Sequence, residues 1–525
     1  MTKNKFEFEI STQSSMDRAV KGICDKLRRD KAKGAKAYVP ELSWMLFLCY
    51  LDLLEFEKEK KFVAVGKKYI NIIPEPYRWR DWALEYDKKI SKSEIIKKKL
   101  PGWKRCDLDN KGIGKFLDFV NKDLFNFLSK IGSSKSALDI QKVISIMFKI
   151  KEKTVLKVEA NLQDAIDEIT KLSSKNINEK HLFPISQAYE GLLPDLGAKN
   201  SDGGQFFTPR EIIKVIIETI KPKIGKTIFD PCCGTGGFFI EAFKYLSNKK
   251  IKPSEIEFLK SKTFWGKEQE DDAILMLLAN LVLHNIDSPK IWHGNTLTGT
   301  IDNNELFHNA PQTYDYIFTN PPFGSKEGKA AQAKFPYKCS KAQILFIQEI
   351  IDNLKDGGEC GMVIDEGVMF HSKTKAFLQT KKKLLNENNL HTIISLPPGV
   401  FVNANAASKT NLLFFKKGSP TKKIWYYDMA ITEEFIPRKV NKGNPLLFEH
   451  FNDFFKKYNL SPNDPKKISE RSWFVNIDEI KKTNYKIHAQ NNNKPDLSDK
   501  RTSKQIYESI SKNLRELNDI VKNLK

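Results

Sequence analysis

Residues 227–239 read Thr-Ile-Phe-Asp-Pro-Cys-Cys-Gly-Thr-Gly-Gly-Phe-Phe, and this stretch decides the fold. A short β-branched and aromatic run passes into a glycine-rich turn, and a helix-forming run follows at 239–243. Glycines at the carboxyl end of a first strand let the backbone approach a ligand, with the amino end of a helix behind them. Because the glycines do not follow the Gly-x-Gly-x-x-Gly spacing, the loop favours an adenosyl cofactor over nicotinamide or flavin.

From about residue 200 to 420, short β-rich runs alternate with helical stretches. This alternation is typical of a parallel sheet with crossover helices, so we predict an α/β, Rossmann-like domain. The predicted strands are centred on 227–229, 263–265, 291–293, 314–318, 361–364, 392–396 and 411–415.

The two flanks of this region have a helical pattern. Within 42–54 and 117–128, apolar residues recur every three or four positions, which predicts helices that pack by one face. A polar run at 490–495 indicates a linker before a terminal helix. The apolar seam of that helix comprises Ile506, Ile510, Leu514, Leu517, Val521 and Leu524. We therefore predict a helical domain at 1–170, the Rossmann-like domain at 171–425 and a C-terminal region at 426–525.

The composition limits the class of protein. In 525 residues, 87 Lys and Arg oppose 65 Asp and Glu; the net charge of +22 suits a nucleic acid partner, although it also serves solubility. Seven cysteines lack the Cys-x-x-Cys pairs of zinc sites, so we expect reduced thiols in a cytoplasm and no metal site. The longest apolar run, 42–54, is too short to span a bilayer, and no signal segment is recognisable, so no membrane association is expected.

Polar residues after the next two predicted strands extend the ligand site. Glu268 follows the second strand, where a carboxylate in a Rossmann-type fold accepts the ribose hydroxyls. The alternative is that Glu268 only favours the start of the helix after it through its negative charge. Asn295 follows the third strand and is expected near the adenine ring.

The most specific feature is Asn320-Pro321-Pro322-Phe323, directly after the predicted strand 314–318. The prolines fix the backbone and lack N–H donors, which leaves the Asn320 amide oxygen and the Pro321 carbonyl as acceptors. Two acceptors suit an exocyclic base amine, because they direct its nitrogen lone pair toward a sulfonium methyl, and Phe323 can stack on the extruded base. The alternative is a rigid turn that only caps the strand. Adenine N6 and cytosine N4 fit the tetrapeptide equally well.

With the glycine loop placed before this tetrapeptide, the sequence resembles the amino-directed DNA methyltransferases. It is similar in particular to the modification subunits of type I restriction-modification systems, over about residues 15–490, through the stretches 50–52, 203–210, 396–401 and 409–411. The predicted cofactor site, for S-adenosyl-L-methionine, comprises Gln205, Phe206, Phe207, Thr208, Pro209, Arg210, Asp230, Gly234, Thr235, Gly236, Gly237, Glu268 and Asn295. The predicted catalytic residues are Asn320, Pro321, Pro322 and Phe323, with Phe401 stacking on the other face of the flipped base.

The resemblance implies an adenine-specific DNA methyltransferase that flips its target base out of duplex DNA and transfers the methyl group in line to adenine N6. It implies a DNA-specificity (S) subunit on which the terminal helix packs, a second copy of this chain in an M2S1 complex and, in systems that have one, a restriction (R) subunit. Alternatively, the terminal helix folds back on its own N-terminal domain. A methyltransferase of RNA or protein glutamine, and a catalytically silent cofactor-binding assembly subunit, remain open as alternatives.

Two stretches depart from the family pattern. Asn295 stands where many relatives have Asp, which weakens the expected adenine contact, and residues 365–367 read Asp-Glu-Gly instead of Pro-Asp-Gly. Cys232 after Pro231 could suggest cytosine C5 methylation by a nucleophilic thiolate, but it lies inside the cofactor loop rather than after a separate strand. The sequence contains no Gly-x-x-x-x-Gly-Lys-Ser/Thr motif, so it does not encode a translocating ATPase of that class.

Overall fold

The computed structural model describes residues 13–30, 32, 34–174, 208–286, 288–401, 409–429, 440, 444, 446–488, 490, 491, 493 and 502–523. Within them, a helical part precedes a large sheet covered by helices, and one long helix follows. The predicted fold class, α/β with helical extensions at both ends, is confirmed.

The amino-terminal part is helical. Its helices are α1 (Gln13–Arg29), α2 (Ala35–Ala64), α3 (Trp79–Trp82), α4 (Lys92–Lys98), α5 (Trp103–Lys111), α6 (Lys115–Asp118), α7 (Phe125–Lys130), α8 (Asp139–Ile150) and α9 (Glu159–Ser174), with a π-helical segment (Phe119–Leu124) joining α6 to α7. Both predicted apolar stripes lie on helices: Leu42 and Met45 of α2, and Leu124 and Leu128 of the second stripe, are buried. Apolar residues three and four apart share one helix face, so that face enters the core.

The expectation that the apolar run at 42–54 is too short to span a bilayer does not hold for the whole helix, because α2 is long and apolar enough to cross a membrane by length and composition alone. In the fold, however, 83% of the most apolar segment of this helix is buried inside the protein. Its buried Glu41 is compensated by hydrogen bonds from Trp44 Nε1 at 2.9 Å, Thr154 Oγ1 at 2.7 Å and Val155 N at 2.8 Å. The helix therefore acts as a core helix that carries a satisfied polar group.

Among the described residues, ten strands form one sheet, in the order β10-β9-β7-β8-β6-β5-β1-β2-β3-β4. They are β1 (Ile228–Asp230), β2 (Phe264–Glu268), β3 (Lys290–Asn295), β4 (Thr300–Asn303), β5 (Tyr314–Thr319), β6 (Leu354–Asp365), β7 (Asn388–Ser395), β8 (Thr410–Lys417), β9 (Lys423–Asp428) and β10 (Ser472–Asn476). β1, β2, β3, β5 and β6 pair in parallel, so their carboxyl ends lie at one edge. The expectation of a parallel sheet is corrected in part, because β4, β8 and β10 pair antiparallel.

Helices cover both faces of the sheet. They are α10 (Arg210–Ile220), α11 (Gly237–Ser247), α12 (Pro253–Ser261), α13 (Asp271–Leu283), α14 (Lys329–Ala333), α15 (Ala342–Asn353), α16 (Glu366–Phe370), α17 (Lys375–Glu387), α18 (Asn452–Tyr458) and α19 (Ile477–Lys482). Side chains alternate along a strand, so the adjacent residues Ile228 and Phe229 of β1 belong to different hydrophobic cores. The core that contains Ile228 continues into the amino-terminal helices.

The amino-terminal helices dock on α13, which is buried along nearly its whole length. Two polar contacts border this apolar interface. Tyr50 Oη donates to Asn285 Oδ1 at 3.2 Å, and the Asp139 carboxylate binds Lys290 Nζ at 2.8 Å and the Ser288 hydroxyl. Burial tends to raise the pKa of Asp139, but the Lys290 and Ser288 hydrogen bonds and the charges of Lys290 and Lys142 outweigh it and lower that pKa to about 2.

The sheet extends beyond the predicted domain boundary. The boundary between residues 425 and 426 falls inside β9, which pairs with β7 in parallel and with β10 in antiparallel. The boundary between 170 and 171 falls inside α9. Both expected boundaries therefore cut through regular elements, because alternation and helical periodicity do not show where a sheet ends.

The terminal helix is α20 (Ser503–Asn523). Of the predicted seam, Ile510, Leu514 and Leu517 are more than half exposed, at 52%, 57% and 61%. Ile520, which the predicted seam did not include, is exposed as well, and the side chain of Val521 lies outside the described residues. The alternative in which this face packs back on the N-terminal domain does not occur in this structure for those residues. Leu524 lies outside the described residues.

Candidate active site

The glycine loop begins where β1 ends at Asp230 and leads into α11 at Gly237. Gly236 has a φ of +81°, and a Cβ at that position would lie 2.7 Å from Leu277 Cδ1 of α13. A side chain is therefore excluded by both backbone conformation and space. The Asp230 carboxylate accepts hydrogen bonds from Cys232 N at 3.1 Å and Thr319 Oγ1 at 2.6 Å, which hold the loop against β5.

Asp230 is one of two buried carboxyl groups at this strand edge. Burial raises the pKa of Asp230 from 3.8 to about 7, because removal of water disfavours the charged form. The hydrogen bonds from Thr319 and Cys232 oppose that shift, whereas the nearby Glu268 adds to it. The loop therefore holds a carboxyl group whose charge changes near neutral pH.

Glu268 is the second buried carboxyl group, at the end of β2. Its Oε2 accepts from Gly234 N at 2.7 Å, and its Oε1 accepts from Gln269 N and Glu270 N at 2.8 and 3.0 Å. The amides of Gln269 and Glu270 immediately precede α13. Glu268 therefore also holds the start of that helix, as the alternative interpretation predicts. Oε2 can accept a further hydrogen bond, and the Glu268 side chain lines a cavity. Glu268 can therefore bind a ligand in addition to holding the helix start.

A cavity of about 310 Å³ opens beside Glu268 at the carboxyl ends of the strands. Its walls comprise Pro231, Cys232, Glu268, Gln269, Glu270, Asn295, Thr296, Leu297, Asn320, Pro322, Ser325, Lys326, Glu327 and Phe346. Asn295 is in this wall, but its amide is engaged: Nδ2 donates to Gln269 Oε1 at 2.7 Å and Oδ1 accepts from Thr298 N at 2.8 Å. The Asn295 side chain thus holds the shape of the pocket wall.

A smaller cavity continues along the glycine loop toward α10, and it shares Cys232 and Asn320 with the larger one. Its walls include Thr208, Arg210, Asp230, Gly234, Thr235 and Gly237. The structure thus brings most of the predicted cofactor residues around one groove. Gly236 supports the turn behind it, and Pro209 is the residue before α10. The predicted residues Gln205, Phe206 and Phe207 lie outside the described part of the chain.

Asn320 lies where the two cavities meet, directly after β5. Its Nδ2 donates to Thr208 Oγ1 at 3.0 Å, which fixes the amide across 112 residues of chain. Its Oδ1 is shielded from solvent and has no hydrogen-bond partner among the described residues. The side chain therefore presents an unused acceptor to the groove.

The two predicted stacking residues contact each other. The rings of Phe323 and Phe401 meet edge to face, with centroids 5.4 Å apart and planes at 90°. Phe401 is 2% exposed. The two rings therefore contact each other directly in this structure, and their stacking on the two faces of a base stays a prediction.

Several lining residues were not predicted from the sequence. Cys232, Gln269, Thr296 and Glu327 face the larger cavity, and Thr319 orients Asp230. For Gln269 and Thr296 a signal existed, because each directly follows a strand-end residue that was predicted. Glu327 follows no predicted strand end, so nothing in the sequence indicated its position. A loop places it at the cavity.

Comparison with known proteins identifies the family. Residues 179–500 match the family model described as N-6 DNA Methylase. The chain is 30% identical over 489 residues to the EcoEI methylase subunit of a type I restriction enzyme from Escherichia coli, covering 91% of this chain and 90% of that protein. The chain belongs to the N-6 DNA methylases, as a type I methylase subunit. The predicted family is confirmed.

Solved structures agree with this family. A chain from a structure on complex assembly of a type I restriction-modification system has 32% identity and a TM-score of 0.73, with 98% of each chain covered. A modification subunit of a putative type I restriction enzyme from Vibrio vulnificus has 28% identity and a TM-score of 0.72, covering 90% of this chain and 94% of that one. The N-6 DNA methylase described here is an adenine-specific DNA methyltransferase, and its methyl donor is S-adenosylmethionine.

Proposed function

We propose that Asn320 is the residue that accepts a hydrogen bond from the exocyclic amine of the flipped adenine. The observation that carries this proposal is the Asn320 amide oxygen, which is buried at the junction of the two cavities without a described partner. A buried acceptor that lacks a donor costs about 1–3 kcal/mol. The N–H of the adenine amine would donate to the Asn320 oxygen. Binding of the base therefore removes the free-energy cost of a buried acceptor that has no donor.

The Pro321 carbonyl supplies the second acceptor in this proposal. Accepting both amine hydrogens turns the nitrogen lone pair away from the ring system, so that it becomes a nucleophile. The bound cofactor supplies an electrophilic methyl group. Pro321 and Pro322 keep the backbone after β5 rigid, which maintains the position of the acceptors without reorganisation during the reaction.

The residues of the groove fit S-adenosylmethionine. The acceptor capacity left on Glu268 suits the ribose hydroxyls, and Asp230 and Arg210 line the smaller cavity beside the glycine loop. The Asp230 carboxylate, once ionised, complements the positive charge of the amino-acid end. Asn295 acts indirectly, because it holds Gln269 in the pocket wall.

Phe323 and Phe401 are the proposed stacking partners of the base. Since their rings contact each other in this structure, a base between them requires the rings to separate. Aromatic stacking contributes about 1–3 kcal/mol per base, which can replace the contact between the rings.

Methyl transfer from tritiated S-adenosylmethionine tests the catalytic proposal. We expect Asn320→Ala to lower turnover on duplex DNA at least 10²-fold, with the cofactor Kd within about twofold, because the lost acceptor acts on the reacting amine. Asn295→Ala is the matched control in the same groove: it should weaken cofactor binding but retain kcat at saturating cofactor. Near-normal turnover of Asn320→Ala contradicts the proposal. Transfer to RNA or protein in place of DNA supports the alternative substrates.

We further propose that the chain works in the cytoplasm as part of a complex with a DNA-specificity subunit, in the stoichiometry M2S1, and with a restriction subunit in systems that contain one. The exposed seam of α20 supports this, because Ile510, Leu514 and Leu517 present an apolar stripe that is more than half exposed. A helical stripe of this kind suits another amphipathic helix.

A further inference from the structure

The segment 325–341, which follows the catalytic tetrapeptide, is here named the lysine loop. It contains five lysines, at 326, 329, 334, 338 and 341, and one acidic residue, Glu327. Five positive charges against one negative charge leave a surplus of four in 17 residues. The composition of this loop is therefore more basic than that of the chain as a whole.

The loop is held in a defined shape. At its base, Lys326 and Lys341 form an antiparallel bridge, and backbone hydrogen bonds from Glu327 N to Ser340 O at 2.7 Å and from Ala342 N to Ser325 O at 3.2 Å close the loop. On its inner side, Ala331 and Phe335 are buried in the hydrophobic core. A basic segment that only solubilises the protein needs no such anchoring.

The five lysines are exposed, and their charges are not neutralised. Other exposed lysines in this protein do have acidic partners: Lys98 pairs with Glu94 at 2.7 Å, and Lys111 with Asp107 at 2.9 Å. Within the described part of the chain, no carboxylate lies within 4.0 Å of any lysine nitrogen of the loop. The positive charge therefore remains available to a ligand.

The lysine loop borders the cavity at Asn320, where the proposed function places the target base. Lys326 and Glu327 line the larger cavity together with Asn320. At the opposite side, Lys334 extends over the turn at Gly299 that follows β3. The loop thus reaches from the cavity wall beside Asn320 to the turn that follows β3.

We propose that the lysine loop binds the DNA backbone phosphates that flank the target adenine. The proposal rests on the action of this chain on DNA. Extruding a base from the duplex costs free energy, because the base must be unstacked and unpaired. Anchored cations at the groove mouth offset that cost by neutralising phosphates and releasing counterions, without reading the sequence.

The test uses the full chain in the complex that methylates DNA. The variant Lys329→Gln/Lys338→Gln/Lys341→Gln removes three charges and leaves Lys326 at the cavity unchanged. We expect the KM for a duplex of about 30 base pairs to rise at least tenfold at about 0.15 M salt. The slope of log affinity against log salt should become shallower by about 2 to 3, at about 0.9 per lost phosphate contact. The cofactor Kd and kcat at saturating DNA should stay within about twofold.

The matched control is Lys223→Gln/Lys250→Gln/Lys252→Gln. These exposed lysines follow α10 and α11 at the amino-terminal edge of the sheet, opposite the groove. An equal change in both triple variants, or an unchanged salt slope in the loop variant, overturns the proposal. The charge-retaining Lys→Arg triple at 329, 338 and 341 should restore the slope. Should the triple variant not fold, single Gln variants must each reduce the slope by about 0.9.

Failure of the catalytic proposal looks different in this assay. If the catalytic proposal fails, Asn320→Ala retains a near-normal kcat. If the lysine-loop proposal fails, the loop variant keeps the wild-type salt slope and KM while Asn320→Ala still lowers kcat. Methylation of RNA or protein instead of DNA by the wild-type complex overturns both proposals together.

Discussion

Asp230 shows how burial at a single residue couples this site to pH. Its folded-state pKa of about 7 is raised above the ordinary value of 3.8, so the protonated form favours the folded state. The stability that this group contributes is present below about pH 4 and is lost as the pH rises through about 7. Above about pH 7 the fold therefore bears a buried, ionised carboxylate, and a cationic ligand in the adjoining cavity would compensate for it.

The first prediction concerns the pH dependence of cofactor binding. S-adenosylmethionine carries sulfonium and ammonium charges, so we expect binding to tighten by up to about tenfold between pH 6 and 8, as Asp230 ionises. Calorimetry across this range measures the effect. Asp230→Asn, which keeps the shape and remains neutral, should bind more weakly at pH 8 and lose this part of the pH dependence. An identical pH profile in both proteins would show that another group is responsible.

The second prediction concerns Glu268. Its carboxylate accepts three backbone hydrogen bonds and faces the cofactor cavity, so its removal affects both the protein and the ligand. Glu268→Ala should weaken cofactor binding by about 1.5–3 kcal/mol and lower the Tm. Glu257→Ala, on the exposed face of α12 and outside the described cavities, is the control and should change both much less. Unchanged cofactor affinity with a lowered Tm would assign Glu268 to the helix start alone.

At the scale of elements, helix α20 carries exposed apolar residues on one side and charged residues on the other. Lys504, Glu508 and Lys512 lie on the polar side, and Leu514 and Leu517 lie on the apolar side. An amphipathic helix is stable in water chiefly when its apolar face is packed. The exposed apolar face of α20 therefore favours assembly of this chain with a partner over an isolated chain.

The third prediction tests this seam by co-purification with the specificity subunit. Leu514→Asp/Leu517→Asp should abolish assembly, because two carboxylates cannot be buried without partners. Lys504→Gln/Lys512→Gln makes the net charge more negative by the same amount as the leucine variant does, but on the polar side of the helix. This variant should assemble normally. Cofactor binding should be unchanged in both variants, since α20 lies outside the groove. Normal assembly of the leucine variant would rule out this face as the interface.

At the scale of the whole molecule, the amino-terminal helices and the sheet share one hydrophobic core through α13. The polar contacts of Tyr50 and Asp139 border that core. Because α13 also begins at the backbone amides held by Glu268, the helical part supports one wall of the cofactor groove. The fold therefore links stability of the amino-terminal part to the site.

The fourth prediction concerns this interface. Asp139→Ala should destabilise the protein by about 1–3 kcal/mol, because Lys290 has a side chain only 9% exposed and would lose its partner. Calorimetry should show a lower Tm for one transition that includes both parts, without a separate peak for the helical part. Asp118→Ala breaks a solvent-exposed pair with Lys122 and should leave the Tm unchanged. Separate melting of the two parts would contradict the shared core.

Much of the site was predictable because its signals are local. A β-branched run followed by Asp230 and glycines indicates a strand, a turn and a helix, and two prolines after β5 indicate a rigid acceptor loop. Parallel strands place their carboxyl ends at one edge, so a strand-end position was enough to bring Glu268 and Asn320 to the same groove. The family resemblance supplied adenine as the base, which the tetrapeptide alone does not distinguish from cytosine.

The amino-acid sequence by itself determined the order of the elements, the α/β class and the chemistry of the strand-end residues, since these follow from neighbouring side chains. Tertiary structure alone decided which distant groups meet: Thr208 with Asn320, Glu268 with Gly234, and Phe323 with Phe401. It also decided that β9 and β10 extend the sheet past the expected boundary. The physical reason is that strand pairing and side-chain contacts depend on residues far apart in the chain, which periodicity and spacing do not record.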